Sequence, residues 1–546
     1  MPTALVTGAS SGIGREIARE LAREGFDLVL TARTEPRLRE LAAELETRRR
    51  VQVRVVPLDL ARPGAPGELF EALRDTRVEL LVNNAGLGDY GAFAACDQTR
   101  LNDLLQVNIA ALTQLTRLFL PLMLERGRGR ILNVASTAAF FPGPLMSAYY
   151  ASKAYVLAFS EALANELKGT GVTVTCLCPG PTASEFHQRA GMGGSRLLDG
   201  YFMPAWRVAR RGVLGALRGR MVVVPGLINQ AMVELPRLLP RRVMTDLVRR
   251  AQAGPGDLEP VPAAPPPPVP CQSAPAGRPL ALVTGASSGI GLELAREFAR
   301  RGYDLAVVAR REERLRALAA ELETAVSVTV IPLDLADVDA VRRLRAALGA
   351  RRVDVLVNNA GFGDLTRFAT SDPNKMLDMI QVNIVALTLI TRAFLPEMLR
   401  RGSGRILNVG SMAAFMRGPF IAVYYASKSY VNSFTEALAN EVRGTGVSVT
   451  CLSPGFTESE FMERATVGYQ RPAVRRRATD PTEVARYGVD ALLRGEVLAI
   501  PFFSDRLTPL GHRIVSRRFV AAVVRRLLEG RVQEREALEA AGAGEP

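Results

Sequence analysis

The chain contains itself twice. Residues Ala4 to Gly14 and Ala281 to Gly291 are identical, and laying residue 8 on residue 285 aligns the two halves along most of their length. The period, about 275 residues, is far longer than the roughly 20–50 residues of a solenoid unit. Each copy is large enough to close a core of its own. This constrains the fold strongly: any element assigned in the first copy must also be plausible in the second. The units are 1–254 and 280–546, joined by 255–279, where Pro265 to Pro268 and many alanines read as a polyproline-type linker. Fully extended, such a linker spans roughly 75 Å at about 3.1 Å per residue, against a diameter of roughly 45 Å for a domain of this size. It permits side-by-side packing without dictating it.

Within each unit, short apolar runs alternate with helical patterns. Leu5 to Thr7, Asp27 to Ala32, Val51 to Pro57, Leu80 to Asn83, Arg130 to Ala135, Val172 to Cys178 and Met221 to Val224 read as buried strands. Between them Ile13, Ile17 and Leu21, and later Leu101, Leu104, Leu105 and Leu112, recur at helical spacing. This alternation predicts an α/β chain of two tandem Rossmann-type, doubly wound parallel sheets, each covered by helices on both faces.

The composition excludes several other classes. Ten arginines against Glu234 and Asp246 in residues 201–250, and seven against Glu529 in residues 506–531, account for the whole net charge of +14. Two local basic surfaces do not make a nucleic-acid-binding body. Both segments mix arginine with apolar residues, as in Leu235 to Arg242 and Phe519 to Leu528, so they are candidates for an anionic membrane surface, an acidic acyl carrier, or packing on the domain. No signal peptide is legible, nor a span of about 18 apolar residues free of charge and turn signals, so a cytoplasmic location is expected, with peripheral membrane contact as the variant. Five cysteines and two histidines, His187 and His512, show no metal-ligand spacing, and no metal is expected.

Thr7-Gly-Ala-Ser-Ser-Gly-Ile-Gly14 follows the first strand and opens the first helix, and Thr284 to Gly291 repeats it. Such a turn brings backbone amides to a phosphate, so Gly8, Ser10, Ser11, Gly12, Ile13 and Gly14, with Gly285, Ser287, Ser288, Gly289, Ile290 and Gly291, are the expected dinucleotide cradles. The second strand ends in Arg33 in one copy and in Arg310 and Arg311 in the other, where a carboxylate would favour NAD. Arginine there suits a 2′-phosphate, so one NADP(H) per unit is expected. Asp59 and Asp334, each in Pro-Leu-Asp-Leu, are candidates either for the adenine amine or for a turn cap.

The chain uses four lysines against sixty-five arginines, and two of the four, Lys153 and Lys428, end the string Tyr-Tyr-Ala-Ser-Lys. A compact ammonium, unlike a guanidinium, can relay a proton as well as carry charge. On a helix both Tyr149 and Tyr150 can lie near Lys153, and spacing alone does not choose between them.

The ordered set of Thr-Gly-Ala-Ser-Ser-Gly-Ile-Gly, Asn83-Asn-Ala-Gly86 with Asn358-Asn-Ala-Gly361, Tyr-Tyr-Ala-Ser-Lys, and Pro179-Gly180 with Pro454-Gly455 resembles the short-chain dehydrogenase/reductase family in its single-domain form, twice over. The resemblance implies two catalytic sets, Asn108, Ser136, Tyr149 and Lys153, then Asn383, Ser411, Tyr424 and Lys428. It further implies cofactor contacts from Asn84, Ala85, Gly86, Tyr149, Lys153, Pro179, Gly180 and Thr182, and from Asn359, Ala360, Gly361, Tyr424, Lys428, Pro454, Gly455 and Thr457. A carbonyl taking up hydride develops negative charge that needs a donor, assigned to Ser136, and an acid, assigned to Tyr149. An ammonium about 4 Å away is worth roughly 4 kcal/mol at an effective dielectric of 20, enough to lower a phenol by about three pKa units. The resemblance adds that the lysine grips the nicotinamide ribose and that the asparagine holds a relay water.

The expected activity is therefore NADPH-dependent reduction of a hydrophobic ketone, such as a 3-oxoacyl thioester or a lipid or steroid-like carbonyl, with one copy as a non-catalytic NADP-binding scaffold as the alternative. The copies differ after the Pro-Gly pair, at Thr182 to Phe186 and the glycines 191–194 against Thr457 to Phe461 and Arg475 to Arg477, and at Pro142 against Arg417. Those differences suggest different substrates, or the same one accepted with different strength. The helices around Leu101 to Leu124 and Tyr149 to Leu167 are those that family members use for dimer contacts. An intramolecular pseudo-dimer is expected, with further self-association open.

Overall fold

The computed structural model describes residues 1–196, 200, 202–254, 277–458, 460, 479–502, 505 and 517–540. The first unit runs β1 (Thr3–Thr7), α1 (Gly12–Arg23), β2 (Asp27–Ala32), α2 (Glu35–Arg49), β3 (Val53–Pro57), α3 (Ala65–Ala72), β4 (Val78–Asn83), α4 (Gln98–Leu105), α5 (Leu112–Glu125), β5 (Gly129–Val134), α6 (Ser147–Glu166), β6 (Val172–Leu177), β7 (Thr182–Ala183), α7 (Phe186–Arg189), β8 (Met203–Pro204), α8 (Ala205–Leu217), β9 (Val222–Val223), α9 (Leu227–Leu238) and α10 (Arg241–Gln252). The second repeats it with β10 (Leu280–Thr284), α11 (Gly289–Arg300), β11 (Asp304–Ala309), α12 (Glu312–Leu322), β12 (Val328–Pro332), α13 (Ala340–Leu348), β13 (Val355–Asn358), α14 (Pro373–Ile380), α15 (Leu387–Arg400), β14 (Gly404–Val409), α16 (Ala422–Glu441), β15 (Val447–Leu452), α17 (Pro481–Leu493), β16 (Leu498–Ala499) and α18 (Arg517–Ala540).

Both sheets have seven parallel strands, ordered β3-β2-β1-β4-β5-β6-β9 and β12-β11-β10-β13-β14-β15-β16. The strands are apolar throughout because helices cover both faces; every residue of β4 is buried. Strand order reverses between β1 and β4, opening the crevice in which ligands of such sheets bind. The segments between α4 and α5, 106–111, and between α14 and α15, 381–386, form π-helical turns. The continuous helices 98–125 and 373–400 are apolar and long enough to cross a membrane, but their apolar windows are 67% and 72% buried. They serve as core helices.

The halves meet through α6 and α16, which pack together. Phe159 of α6 meets Phe368 edge-on at 5.1 Å between ring centres, and Phe434 of α16 meets Phe93 at 5.0 Å. Polar contacts repeat the same symmetry: Arg117 donates to the Ser371 carbonyl at 2.9 Å and Arg392 to the Cys96 carbonyl at 2.8 Å.

Candidate active site

The glycine turn after β1 is held from the strand beside it. Asn84 donates its side-chain amide to the carbonyls of Thr7 (2.9 Å) and Gly8 (3.2 Å), while the Thr7 hydroxyl accepts from the backbone of Asn84 and Ala85. Gly8 has φ of +64°, and a Cβ on Gly14 would stand 2.3 Å from the Gly8 carbonyl oxygen, so neither position accepts a side chain without displacing backbone. Asn359, Thr284, Gly285 and Gly291 repeat this arrangement. Ser11 and Ser288 precede α1 and α11 without capping them through their side chains. The first-turn amides therefore remain for an anion, which is what a dinucleotide phosphate requires.

Every residue expected to contact cofactor lines one of two cavities, a first of about 1530 Å³ in copy one and its counterpart in copy two. Some do something additional. Asp59 caps its turn, accepting from the Ala61 amide at 3.0 Å, and lies 4.0 Å from Arg33; Asp334 accepts from Ala336 at 2.9 Å and lies 3.7 Å from Arg310. Arg311 donates to the hydroxyls of Ser287 (3.0 Å) and Ser288 (2.9 Å) and pairs with Glu460 at 2.8 Å. It therefore ties the phosphate turn to the segment after β15.

Ser136 lies two residues beyond β5, caps the short helical turn that follows, and donates to the Pro179 carbonyl at 3.4 Å. Tyr149 and Lys153 lie on the first turns of α6, with the Tyr149 hydroxyl hydrogen-bonded to Ser136 and the Lys153 ammonium 5.6 Å from the Tyr149 ring centre. Ser411, Tyr424 and Lys428 repeat the set, with the ammonium 5.7 Å from the ring. The lysines are buried and donate to the carbonyls of Val134 (3.1 Å) and Val409 (2.8 Å). Asn108 and Asn383 sit in the π-turns, outside the cavity lining. Asn108 clamps the Leu87 backbone from both sides (2.8 and 3.0 Å) and donates to Ser152 at 3.0 Å. Both of its amide protons are thus used within the protein, so its side chain has none left to donate to a relay water.

The expected lowering of the phenol is corrected by this geometry. Burial pushes Tyr149 up to about 12, opposed by its bond to Ser136, and raises Tyr424 as well. The same burial brings Lys153 and Lys428 down to about 8. Desolvation is the largest cause in both copies, because the phenol and its neighbouring ammonium are buried together and burial disfavours the charged form of each.

Several features were not legible in the motifs. In copy one Phe186 of α7 stacks obliquely on Tyr149 at 5.2 Å, in space that Gly88 leaves by lacking a Cβ. Arg37 pairs with Glu185 at 2.8 Å, and Arg100 donates to the Arg189 carbonyl, pinning this cover down. Gln252 of α10 donates to the Tyr150 hydroxyl, and α10 with α9 forms the far wall with Met232, Met244 and Val248. The first basic segment is thus a wall of the cavity. Its arginines also cross to the other half: Arg241 pairs with Glu436 at 2.9 Å and Arg249 donates to the Asn440 carbonyl at 2.8 Å. On α18, Arg525 donates reciprocally to the Asn165 carbonyl at 2.8 Å. Arg417, read as a substrate-selecting difference, instead pairs with Glu161 of copy one. In copy two, Phe461 and Arg475 to Arg477 lie outside the described residues.

A crevice at the strand-order reversal, amides turned toward a phosphate, and a buried phenol beside a hydroxyl and an ammonium together define a dinucleotide-dependent oxidoreductase fold. The short chain dehydrogenase family profile matches residues 2–192 and 279–469. The chain belongs to that family and is an oxidoreductase of the alcohol–carbonyl couple, carrying the family domain twice. It is similar to sulfoacetaldehyde reductase 2 of Chromohalobacter salexigens, 42% identical over 195 residues, 35% of this chain and 77% of that protein. It is also similar to very-long-chain 3-oxoacyl-CoA reductase-B of Danio rerio, 36% identical over 180 residues, 32% of this chain and 58% of that one. Among solved structures, a short-chain dehydrogenase from Sphingobium yanoikuyae in complex with NADPH is 35% identical, covering 46% of this chain and 99% of that chain at a TM-score of 0.40.

Proposed function

We propose that the chain is an NADP(H)-dependent carbonyl reductase with two active sites, acting on neutral, hydrophobic ketones. The observation that carries this reading is the pairing of Ser136, Tyr149 and Lys153 with an apolar chamber beside them. Phe141, Met146, Met192, Met244 and Val248 are buried in one cluster around Tyr150, and the cations Arg37, Arg100 and Arg189 that also line the cavity are each paired with a carboxylate, of Glu185, Asp89 and Glu185. A small anionic aldehyde would have to compete with those carboxylates for a cation, so of the two relatives' named substrates the long acyl chain is the better fit.

The bound nicotinamide supplies the hydride in reduction. The protein's part is to receive the carbonyl oxygen between the Ser136 hydroxyl and the Tyr149 hydroxyl. With its pKa raised to about 12, Tyr149 holds its proton at neutral pH. It gives that proton up once charge develops on the substrate oxygen, and the ammonium of Lys153 and the Ser136 hydroxyl stabilise the phenolate left behind. Copy two repeats these roles with Ser411, Tyr424 and Lys428. In this reading Arg33 and Arg310, exposed just beyond β2 and β11, would meet the 2′-phosphate, and Arg311 would add a second cation in copy two.

Oxidation of NADPH and NADH against a panel of aliphatic and steroid-like ketones and 3-oxoacyl thioesters tests the reading. We expect a preference for NADPH of tenfold or more, a hydrogen bond to a charged group being worth about 1.5–3 kcal/mol, and its erosion in Arg33→Ala with Arg310→Ala. A preference for NADH, or no ketone-dependent oxidation, would overturn it.

A further inference from the structure

We propose that Glu166 and Glu441 are positioning residues that act across the boundary between the halves, each holding the catalytic loop of the opposite site. The proposal rests on the assignment of Tyr149 and Tyr424 as proton donors.

Glu441, the last residue of α16, is 3% exposed and reaches into copy one. One of its carboxylate oxygens accepts the backbone N–H of Leu145 at 2.9 Å and the other that of Phe93 at 2.8 Å. The Ser147 hydroxyl bonds the same carboxylate. Leu145 lies in the loop between Ser136 and Tyr149, four residues before the tyrosine, and Ser147 opens α6 two residues before it. Phe93 lies farther along the segment whose Gly86, Leu87 and Gly88 line the other side of the site.

Glu166, at the end of α6 and 6% exposed, does the same for copy two. Its oxygens accept the N–H of Phe420 at 2.8 Å and of Phe368 at 2.6 Å. Ala422 replaces Ser147 there, so the third bond is missing.

Three observations point beyond mere interface packing. Leu145 and Phe420 have φ of +66° and +68°, a left-handed conformation that bulky residues adopt only where the surroundings impose it. Both are almost fully buried, so no other acceptor from solvent is at hand. Each carboxylate joins the two loops that flank one site and belongs to the helix whose other end carries the opposite site's tyrosine and lysine. Burial pushes both carboxyls up to about 7, countered by these N–H donors and by Arg367 and Arg525 near Glu166, and Arg249 near Glu441. A buried acid offsets such a cost only through bonds of this kind. The halves are therefore mutually dependent: copy two completes the loop of site one, and copy one completes that of site two.

The test separates the sites. In full-length protein carrying Tyr149→Phe, only site two turns over; in protein carrying Tyr424→Phe, only site one does. Adding Glu166→Gln should lower kcat of site two about tenfold or more, the effect of a misplaced acid, and should lower kcat of site one far less. NADPH affinity should stay within about twofold, since the phosphate turn is untouched. Glu441→Gln should show the mirror pattern. Hydrogen exchange gives an activity-independent readout: the amides of Phe368 and Phe420 should exchange faster in Glu166→Gln, and those of Phe93 and Leu145 in Glu441→Gln. Should either glutamine variant fail to fold, Glu166→Asp and Glu441→Asp carry the same comparison. Equal losses at both sites, losses confined to a variant's own half, or unchanged exchange would overturn the proposal. Turnover that persists in the double tyrosine variant would instead refute the site assignment on which it rests.

Discussion

The two halves agree in the candidate catalytic residues and at the centre of their mutual contact, and diverge in the walls around each site. Ser136, Tyr149 and Lys153 share with Ser411, Tyr424 and Lys428 the serine–tyrosine bond and the lysine on a strand carbonyl. One step outward, Tyr150 meets the neutral amide of Gln252, whereas Tyr425 has the guanidinium of Arg531 in its field. Thr34 stands where Arg311 grips two serines and Glu460. Pro142 stands where Arg417 crosses to Glu161. Duplication has thus preserved the candidate catalytic set while the surroundings of the two sites drifted apart.

The largest effect that can break this comparison comes from the phosphate turns. In Gly14→Ala the added Cβ meets backbone that cannot withdraw, an overpacking cost of about 1–3 kcal/mol, and NADPH binding should fall from two sites per chain to one by fluorescence titration. Gly291→Ala should remove the other site; two intact sites in either variant would contradict the cradle assignment.

Next in size is the wall. Arg531→Gln should lower kcat/KM of site two for ketones bearing a distal carboxylate by about tenfold, the worth of one charge-assisted bond, with little change for uncharged ketones. Gln252→Arg should move site one the other way.

A smaller effect, common to both halves, is in pH. Burial lowers Lys153 and Lys428 from 10.5 to about 8, so each ammonium is present below that value and lost above it. Reductive kcat/KM should be level below about pH 8 and fall above it at both sites. The folded lysines bind fewer protons than the unfolded chain between about 8 and 10.5, so their contribution to stability rises with pH there. A thermal melt should therefore show that the lost activity is not caused by destabilisation at these lysines.

The smallest effect concerns the outer surface. Leu227, Ile228 and Leu238 of α9 are 82%, 79% and 77% exposed beside a basic segment. Weak, salt-sensitive sedimentation with anionic liposomes is expected, and its absence at low salt would remove membrane contact from the account.

Much of this was legible in the sequence. The alternation of apolar runs and helical spacing located the first unit's seven central strands to within about two residues at most ends, because parallel strands buried on both faces are apolar throughout. Gly8 and Gly14 announced a turn that only glycine can make. The contacts that complete the sites were not legible. Leu145 and Glu441 are separated by 296 residues, Arg417 and Glu161 by 256, and no periodicity or local motif links positions so far apart. The direction of the tyrosine shift was also out of reach, since it depends on whether desolvation or a neighbouring charge is stronger, and that is decided by distance and burial.

The central claim is that one chain holds two working acid–base sites. Turnover of the wild type, Tyr149→Phe, Tyr424→Phe and the double variant on a common hydrophobic ketone tests it most directly. Each single variant should keep the activity of the untouched half, and the double should lose about 10²–10⁴-fold, the usual contribution of a general acid, while still binding NADPH. A single variant that abolishes all turnover, or a double variant that retains it, would contradict the account.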